Sequence, residues 1–153
     1  MSEVRNNQKP RLHLSELERR DVPAGFVLSA AEPGAAALVR VLDGTTGSIK
    51  LQIDAFPGYR GGLFADASAD RNGDGAPDRI AVGSRGGTTP HVKVFDGATG
   101  ALLQSFFAYD AGFLGGVDVA LGDVTGDRVA DVITGAAGGT SPHVKVFDGT
   151  NGA

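Results

Sequence analysis

The sequence predicts an all-β fold made of tandem four-stranded antiparallel sheets, of the kind that form the blades of a β-propeller. Glycine supplies 24 of the 153 residues, about twice the usual share, and this excess disfavours long helices and favours turns. The segment His-Val-Lys-Val-Phe-Asp-Gly occurs at 91–97 and again at 143–149. A period near 50 residues with short alternating strands is typical of propeller repeats.

The repeat divides the chain into four segments. Residues 1–23 form a charged leader that we expect to be flexible, and 24–57 hold strands b, c and d of a partial blade. A complete blade covers 58–110, and 111–153 hold strands a, b and c of a third. About two and a half blades make an incomplete ring, because closed propellers have roughly 4–8 blades. The chain is then a fragment of a longer array, an open stack, or a homo-oligomer that completes a propeller.

The strands follow one another in the same order within each unit. Strand a covers 63–69 and 117–122; strand b covers 26–29, 79–83 and 132–135; strand c is the Val-Lys-Val-Phe segment; and strand d covers 101–108. Apolar and polar residues alternate along strand c, as in a strand with one buried face. An Asp-Gly-x-Thr-Gly turn then reverses the chain toward strand d.

An acidic loop joins strands a and b in the middle unit. Residues 70–78 place oxygen-bearing side chains at loop positions 1, 3, 5 and 9. Alternate positions of a curled loop converge on one point, and a calcium ion binds about 6–8 oxygens. The predicted ligands are Asp70, Asn72, Asp74, Asp78 and the main-chain carbonyl of Ala76. The alternative is an ordinary acidic turn, since Asp, Asn and Gly are common in turns.

A second acidic loop, 123–131, keeps aspartates at positions 1, 5 and 9. Its predicted ligands are Asp123, Thr125, Asp127, Asp131 and the carbonyl of Val129. Arg128 stands where the first loop has Gly75, so it removes a flexible residue and adds a positive charge. We therefore expect this loop to bind calcium more weakly than the first.

These motifs together resemble FG-GAP (VCBS-type) repeats, which form the β-propellers of integrin α-subunits and many bacterial surface proteins. The resemblance is carried by Gly115-Gly116, by both acidic loops and by the Pro-His-Val-Lys-Val-Phe-Asp-Gly segments. It implies calcium held by the a–b loops, an extracellular or cell-surface location, and binding rather than catalysis. Residues 14–23 also resemble short N-terminal segments of planctomycete surface proteins, which implies export.

Composition narrows the range of functions further. A net charge of −4 argues against nucleic-acid binding, which normally requires a basic face. No apolar run reaches the roughly 20 residues of a membrane-spanning helix, so we expect no transmembrane segment. The expected function is a non-enzymatic calcium-binding module for adhesion, scaffolding or binding of a protein or carbohydrate ligand at the cell surface. A lectin-like carbohydrate-binding module and an appendage of a larger extracellular enzyme are the alternatives.

Aromatic residues outside the acidic loops are assigned by their place in the repeat. His91 and His143 begin strand c, where the first copy of the repeat has Leu38, so we expect them to serve packing. Tyr59 and Tyr109 follow strand d and are the better candidates for a ligand surface. Three phenylalanines of strand d and its exit are expected in the core: Phe106, Phe107 and Phe113.

Overall fold

The computed structural model describes residues 25–139 and 142–153, so the predicted leader lies outside the described residues. Those residues contain ten β-strands and no helix, and they include no helix of the length and apolarity needed to cross a membrane. The strands are β1 Phe26–Ala30, β2 Leu38–Asp43, β3 Ile49–Asp54, β4 Leu63–Ala67, β5 Arg79–Ser84, β6 His91–Asp96, β7 Leu102–Phe107, β8 Val117–Gly122, β9 Asp131–Ala136 and β10 Val144–Phe147. The all-β prediction is confirmed.

The ten strands form three small antiparallel sheets in which strands that are consecutive in sequence pair with each other. Sheet 1 has the order β1-β2-β3, sheet 2 has β4-β5-β6-β7, and sheet 3 has β10-β9-β8. The predicted strands a to d all occur, with bounds within two residues of prediction. The three sheets do not close into a ring in the described part of the chain.

A register shift in strand pairing occurs at the same place of the repeat in sheets 1 and 2. The pairing of β2 with β3 shifts register between Val41 and Leu42, and the pairing of β6 with β7 shifts between Val94 and Phe95. The two shifts occupy the same place in the repeat, just before the turn that leads to strand d. A shift of this kind increases local twist and redirects a strand, so the chain leaves strand c in the same way in sheets 1 and 2.

The core consists of two apolar layers between successive sheets. Val39 and Val41 of sheet 1 pack with Ile80 and Val82 of sheet 2. On the other face of sheet 2, a second layer joins it to sheet 3 through residues that include Val92, Val94, Val117 and Val132. Sheet 2 is therefore buried on both faces, which explains why β5 is almost continuously apolar.

The outward face of sheet 3 has the same side chains as the buried faces but lacks a cover among the described residues. Val144 is 67% exposed and Val146 is 46% exposed. Their equivalents in sheet 2, Val92 and Val94, are both fully buried. Burial of these repeated valines thus depends on a neighbouring sheet and not on the sequence of strand c itself.

Alanine substitutions at one pair of equivalent valines test this dependence. Val92→Ala should lower the free energy of unfolding by about 2 kcal/mol, because it opens a cavity between sheets 2 and 3. In protein dilute enough to be monomeric, Val144→Ala should change it by less than about 0.5 kcal/mol, because within one chain that side chain is mostly exposed. Urea unfolding of both variants provides the measurement, and equal effects would contradict the packing of the sheets.

Candidate metal centre

The two acidic loops connect the first and second strands of sheets 2 and 3, as predicted, but they join their strands differently. Asp70 lies three residues beyond the end of β4, whereas Asp123 follows β8 directly. Asp78 precedes β5 by one residue, whereas Asp131 is itself the first residue of β9. The prediction that Asp131 ends a loop outside the strand is therefore wrong. The extra residue of the first unit is Arg79, which occupies the corresponding first position of β5.

The first aspartate of each loop organises the backbone around it. The carboxylate of Asp70 accepts hydrogen bonds from the N–H groups of Gly73 at 2.6 Å and Gly75 at 2.8 Å. Asp123 accepts from the N–H groups at the same loop positions, 4 and 6, at 2.7 and 3.0 Å. Short polar side chains favour such local bonds to the main chain, and here they curl both loops in the same way.

The aspartates at the fifth position of the two loops also make equivalent hydrogen bonds to the backbone. Asp74 accepts from the N–H of Ala76, and Asp127 accepts from the N–H of Val129, each at 2.8 Å. Asn72 stands between the first two aspartates of its loop and accepts from the N–H of Asp74 at 2.9 Å. The two loops are thus copies of one backbone design despite their different sequences.

Arg128 occupies a backbone conformation that suits glycine. Its φ is +72°, and the φ of Gly75 at the same loop position is +82°. A side chain in this left-handed region costs about 1–2 kcal/mol. The second loop therefore keeps the curl of the first at the expense of backbone strain.

The oxygen atoms of the first loop match the preferences of a hard cation such as calcium. Each oxygen of a carboxylate accepts about two hydrogen bonds, and each oxygen of Asp70 and Asp74 accepts one in the structure. Unused acceptor capacity therefore remains on both side chains. In the described residues, no three carboxylate or imidazole groups are already gathered as a metal cluster. Neighbouring carboxylates repel one another, which favours turning each toward backbone N–H groups.

Asp131 is more deeply buried than its counterpart Asp78 and makes more hydrogen bonds within the fold. It is fully buried, and it accepts hydrogen bonds from three backbone N–H groups, those of Val124, Thr125 and Gly149, at 2.8–2.9 Å. Asp78 accepts a single bond of 3.3 Å, from the N–H of Arg71. Asp131 therefore joins its loop to the turn after β10 and has less capacity left for a ligand.

Each loop also receives a cation on the carbonyl oxygen of its sixth residue, a contact that the sequence analysis missed. The Nζ of Lys50, in sheet 1, donates to the carbonyl of Gly75 at 2.9 Å. The guanidinium of Arg71, in the first loop, donates to the carbonyl of Arg128, also at 2.9 Å. Lys50 and Arg71 are not equivalent in the repeat, so no sequence pattern indicates that they do the same thing.

A cleft of about 330 Å³ separates the two loops. Arg71, Asp78 and Arg79 contribute to it from the first loop and its strand, and Asp123 and Arg128 from the second. The Nη2 of Arg71 lies 3.9 Å from a carboxylate oxygen of Asp123. The cleft therefore contains charges of both signs, and one side chain spans it.

The two tyrosines proposed as a ligand surface make internal hydrogen bonds. The hydroxyl of Tyr59 donates to the carbonyl of Gly86 at 2.6 Å, and that of Tyr109 donates to the carbonyl of His143 at 2.7 Å. Tyr109 also lines an open cavity of about 340 Å³ between the connection that follows β7 and the strands of sheet 3. Lys145 lies over its ring, with Nζ 5.1 Å from the centroid. The prediction of a carbohydrate ligand rests on the sequence alone.

The histidines and phenylalanines are only partly placed as predicted. His91 is half-buried between Phe56 and Phe107, with ring centroids 5.3 and 4.8 Å away. His143 is exposed but still packs against the ring of Tyr109 at 5.4 Å. The prediction that Phe107 is a core residue is wrong, because it is 53% exposed. Phe107 ends β7, the edge strand of sheet 2, and pairs across the sheet with His91.

Substitutions at the ninth position of the two loops test their unequal roles. In chelator-treated buffer, Asp131→Asn should lower the free energy of unfolding by about 3 kcal/mol, because it weakens three hydrogen bonds of a buried charge. Asp78→Asn, the matched control, should lower it by less than about 1 kcal/mol. Urea unfolding measures both, and a larger loss for Asp78→Asn would contradict the assignment.

The Asp131→Asn variant should also change how the free energy of unfolding depends on pH. Hydrogen bonds from the N–H groups of Gly149, Thr125 and Val124 hold the pKa of Asp131 below its usual value. Its stabilising effect is then complete above the unfolded pKa of about 3.9 and is lost as pH falls through the lower folded pKa. Asp131→Asn should lose less stability than the parent protein between pH 7 and pH 3. An unchanged acid profile would contradict this role.

Comparison with known proteins gives no family assignment. Neither the scan against protein-family models nor the search of curated proteins finds a match. The resemblance to FG-GAP repeats therefore rests on the motifs within the chain, above all on the two acidic loops.

Proposed function

We propose that the protein is a non-catalytic, calcium-stabilised repeat module that serves adhesion or scaffolding outside the cell. The observation that carries this proposal is the shared design of the two acidic loops. In both, the aspartates at positions 1 and 5 accept the same backbone N–H bonds while retaining further acceptor capacity. Two sequences that differ at most other loop positions keep these oxygens in common, as a shared ligand would require.

In the first loop, calcium would be held by side-chain oxygens of Asp70, Asn72, Asp74 and Asp78 with the carbonyl of Ala76. The ion would neutralise carboxylates that otherwise repel one another, so its binding would add to the stability of the fold. The second loop would bind more weakly, because the carboxylate of Asp131 already accepts three N–H groups. Extracellular modules typically bind calcium with Kd near 10⁻⁴–10⁻³ M, which suits a location outside the cell.

Thermal unfolding with calcium and with chelator tests the proposal. If Kd is about 0.1–1 mM, then 10 mM calcium should add roughly 1.4–2.7 kcal/mol per site. For a chain of this size that increase corresponds to a rise in Tm of several degrees, about 3–10 °C. An identical Tm in calcium and in chelator would contradict the proposal.

Two substitutions control for non-specific effects of the ion. Asp74→Asn removes a charge from the first loop and should abolish most of the rise, whereas Asp127→Asn, at the same position of the second loop, should reduce it less. Neither side chain is buried, so both variants should fold. A full calcium response in the double variant would show that the ion acts elsewhere.

We also propose that the three sheets are blades of the propeller type and that a second copy of the chain covers the open face of sheet 3. The two interfaces within the chain support this, because each joins the strand-c valines of one sheet to the opposite face of the next. Val144 and Val146 present the first kind of surface. Sheet 1 presents the second kind, where Val27 is 53% exposed and its equivalent Ile80 is fully buried.

Such contacts are head-to-tail, and they form a ring when the rotation between copies closes. Two copies of three sheets give six, which lies within the roughly 4–8 blades of closed propellers. The exposed faces of sheets 1 and 3 would then be buried by the same kind of contact that joins sheet 2 to its two neighbours.

The mass of the protein in solution tests this arrangement. Light scattering at about 100 μM should give about twice the chain mass of 15.6 kDa. Val144→Glu should restore the monomer, whereas Leu102→Glu, at an exposed position outside the proposed contact, should not. A monomeric parent protein, or equal effects of the two variants, would contradict the proposal.

A further inference from the structure

Arg71 is a residue of the first loop whose charge acts on the second. Its backbone N–H donates to Asp78, the last carboxylate of its own loop, at 3.3 Å. Its side chain crosses the cleft, where Nη1 donates to the carbonyl of Arg128 at 2.9 Å and Nη2 lies 3.9 Å from Asp123. One residue therefore contacts both loops, through its main chain on one side and its guanidinium on the other.

The guanidinium of Arg71 lies where its positive charge would repel a calcium ion bound in the second loop. Asp123 is the first predicted ligand of the second loop, and its side chain is only 18% exposed, so its charge is partly shielded from solvent. Two unit charges about 4 Å apart in water interact strongly enough to change an equilibrium about fivefold. A calcium ion at Asp123 would therefore meet a positive charge that is already in place.

Lys50 provides a comparison within the same molecule. Its Nζ binds the equivalent carbonyl of the first loop, that of Gly75, at 2.9 Å. Its ion pair, however, is with Asp43 of its own sheet, 3.3 Å away. The two loops thus share a cation on the sixth carbonyl, but only the second has that cation beside a ligand carboxylate.

We propose that Arg71 is an internal counter-ion of the second loop that lowers its calcium affinity, so that the first loop fills before the second. The inference rests on the proposed calcium binding and assigns a regulatory residue to it. Because the side chain of Arg71 is 49% exposed, added salt screens the effect. The second loop then responds only at higher calcium concentrations, with its threshold set by a residue of its neighbour.

Calorimetric titration with calcium, one loop at a time, tests the inference. In an Asp74→Asn background only the second loop binds, and there Arg71→Gln should tighten binding about fivefold at low salt. Arg71→Lys should keep most of the weak binding, since it retains the charge. Raising the salt concentration to about 0.5 M should shrink the difference between Arg71 and its glutamine variant to less than twofold.

Two controls make the result specific. In an Asp127→Asn background, where only the first loop binds, Arg71→Gln should have the smaller effect. Lys50→Gln should leave the affinity of the second loop unchanged. If both loops bind calcium and Arg71→Gln leaves the second within twofold of the parent, this inference fails and the proposed function stands. If neither loop of the parent protein binds calcium, both fail.

Discussion

The hydrogen bond between an aspartate side chain and backbone N–H groups is the interaction on which the rest of this structure depends. It closes the turns before the last strands of sheets 1 and 2, where Asp43 and Asp96 each accept from two successive N–H groups. It also curls both acidic loops. The N–H groups of Thr46 and Thr45 lower the pKa of Asp43 to about 2. The hydroxyl and the N–H of Thr99 lower the pKa of Asp96. The carboxylates therefore stay charged throughout the neutral range and hold their turns there.

The turns bring successive strands together, and the sheets they produce are each too small to be stable alone. Three or four short strands have little apolar surface to bury unless they pack against a neighbour. Sheet 2 is supported from both sides, and the valines of β6 are accordingly buried. The same residue types in β10 are exposed. Stability in such a stack is shared between neighbouring units, as in other repeat proteins.

Much of this architecture could be predicted from the sequence, because an internal repeat allows its copies to be compared with one another. The strands, their order and the positions of both acidic loops followed from that comparison. The burial of Asp131 did not, because it depends on a difference of one residue, Arg79, in how two similar loops meet their strands. The contact of Arg71 with the second loop could not be predicted from the sequence either. It joins residues 57 positions apart, and only the packing of sheet 2 on sheet 3 brings them together.

The side chains of the acidic loops have a structural role, and the proposed function gives them a second one. Their carboxylates hold the backbone in a curl, and the acceptor capacity that remains is suited to a hard cation. The strained conformation of Arg128 and the three hydrogen bonds of Asp131 make the second loop the poorer candidate. The loops would then differ in affinity while sharing a backbone design.

A crystal structure grown in millimolar calcium tests the central claim most directly. The account predicts a metal ion in the first loop, about 2.3–2.6 Å from oxygens of Asp70, Asp74 and Asp78 and from the carbonyl of Ala76. Carboxylates that keep only their backbone hydrogen bonds in that crystal, with solvent between them, would contradict it.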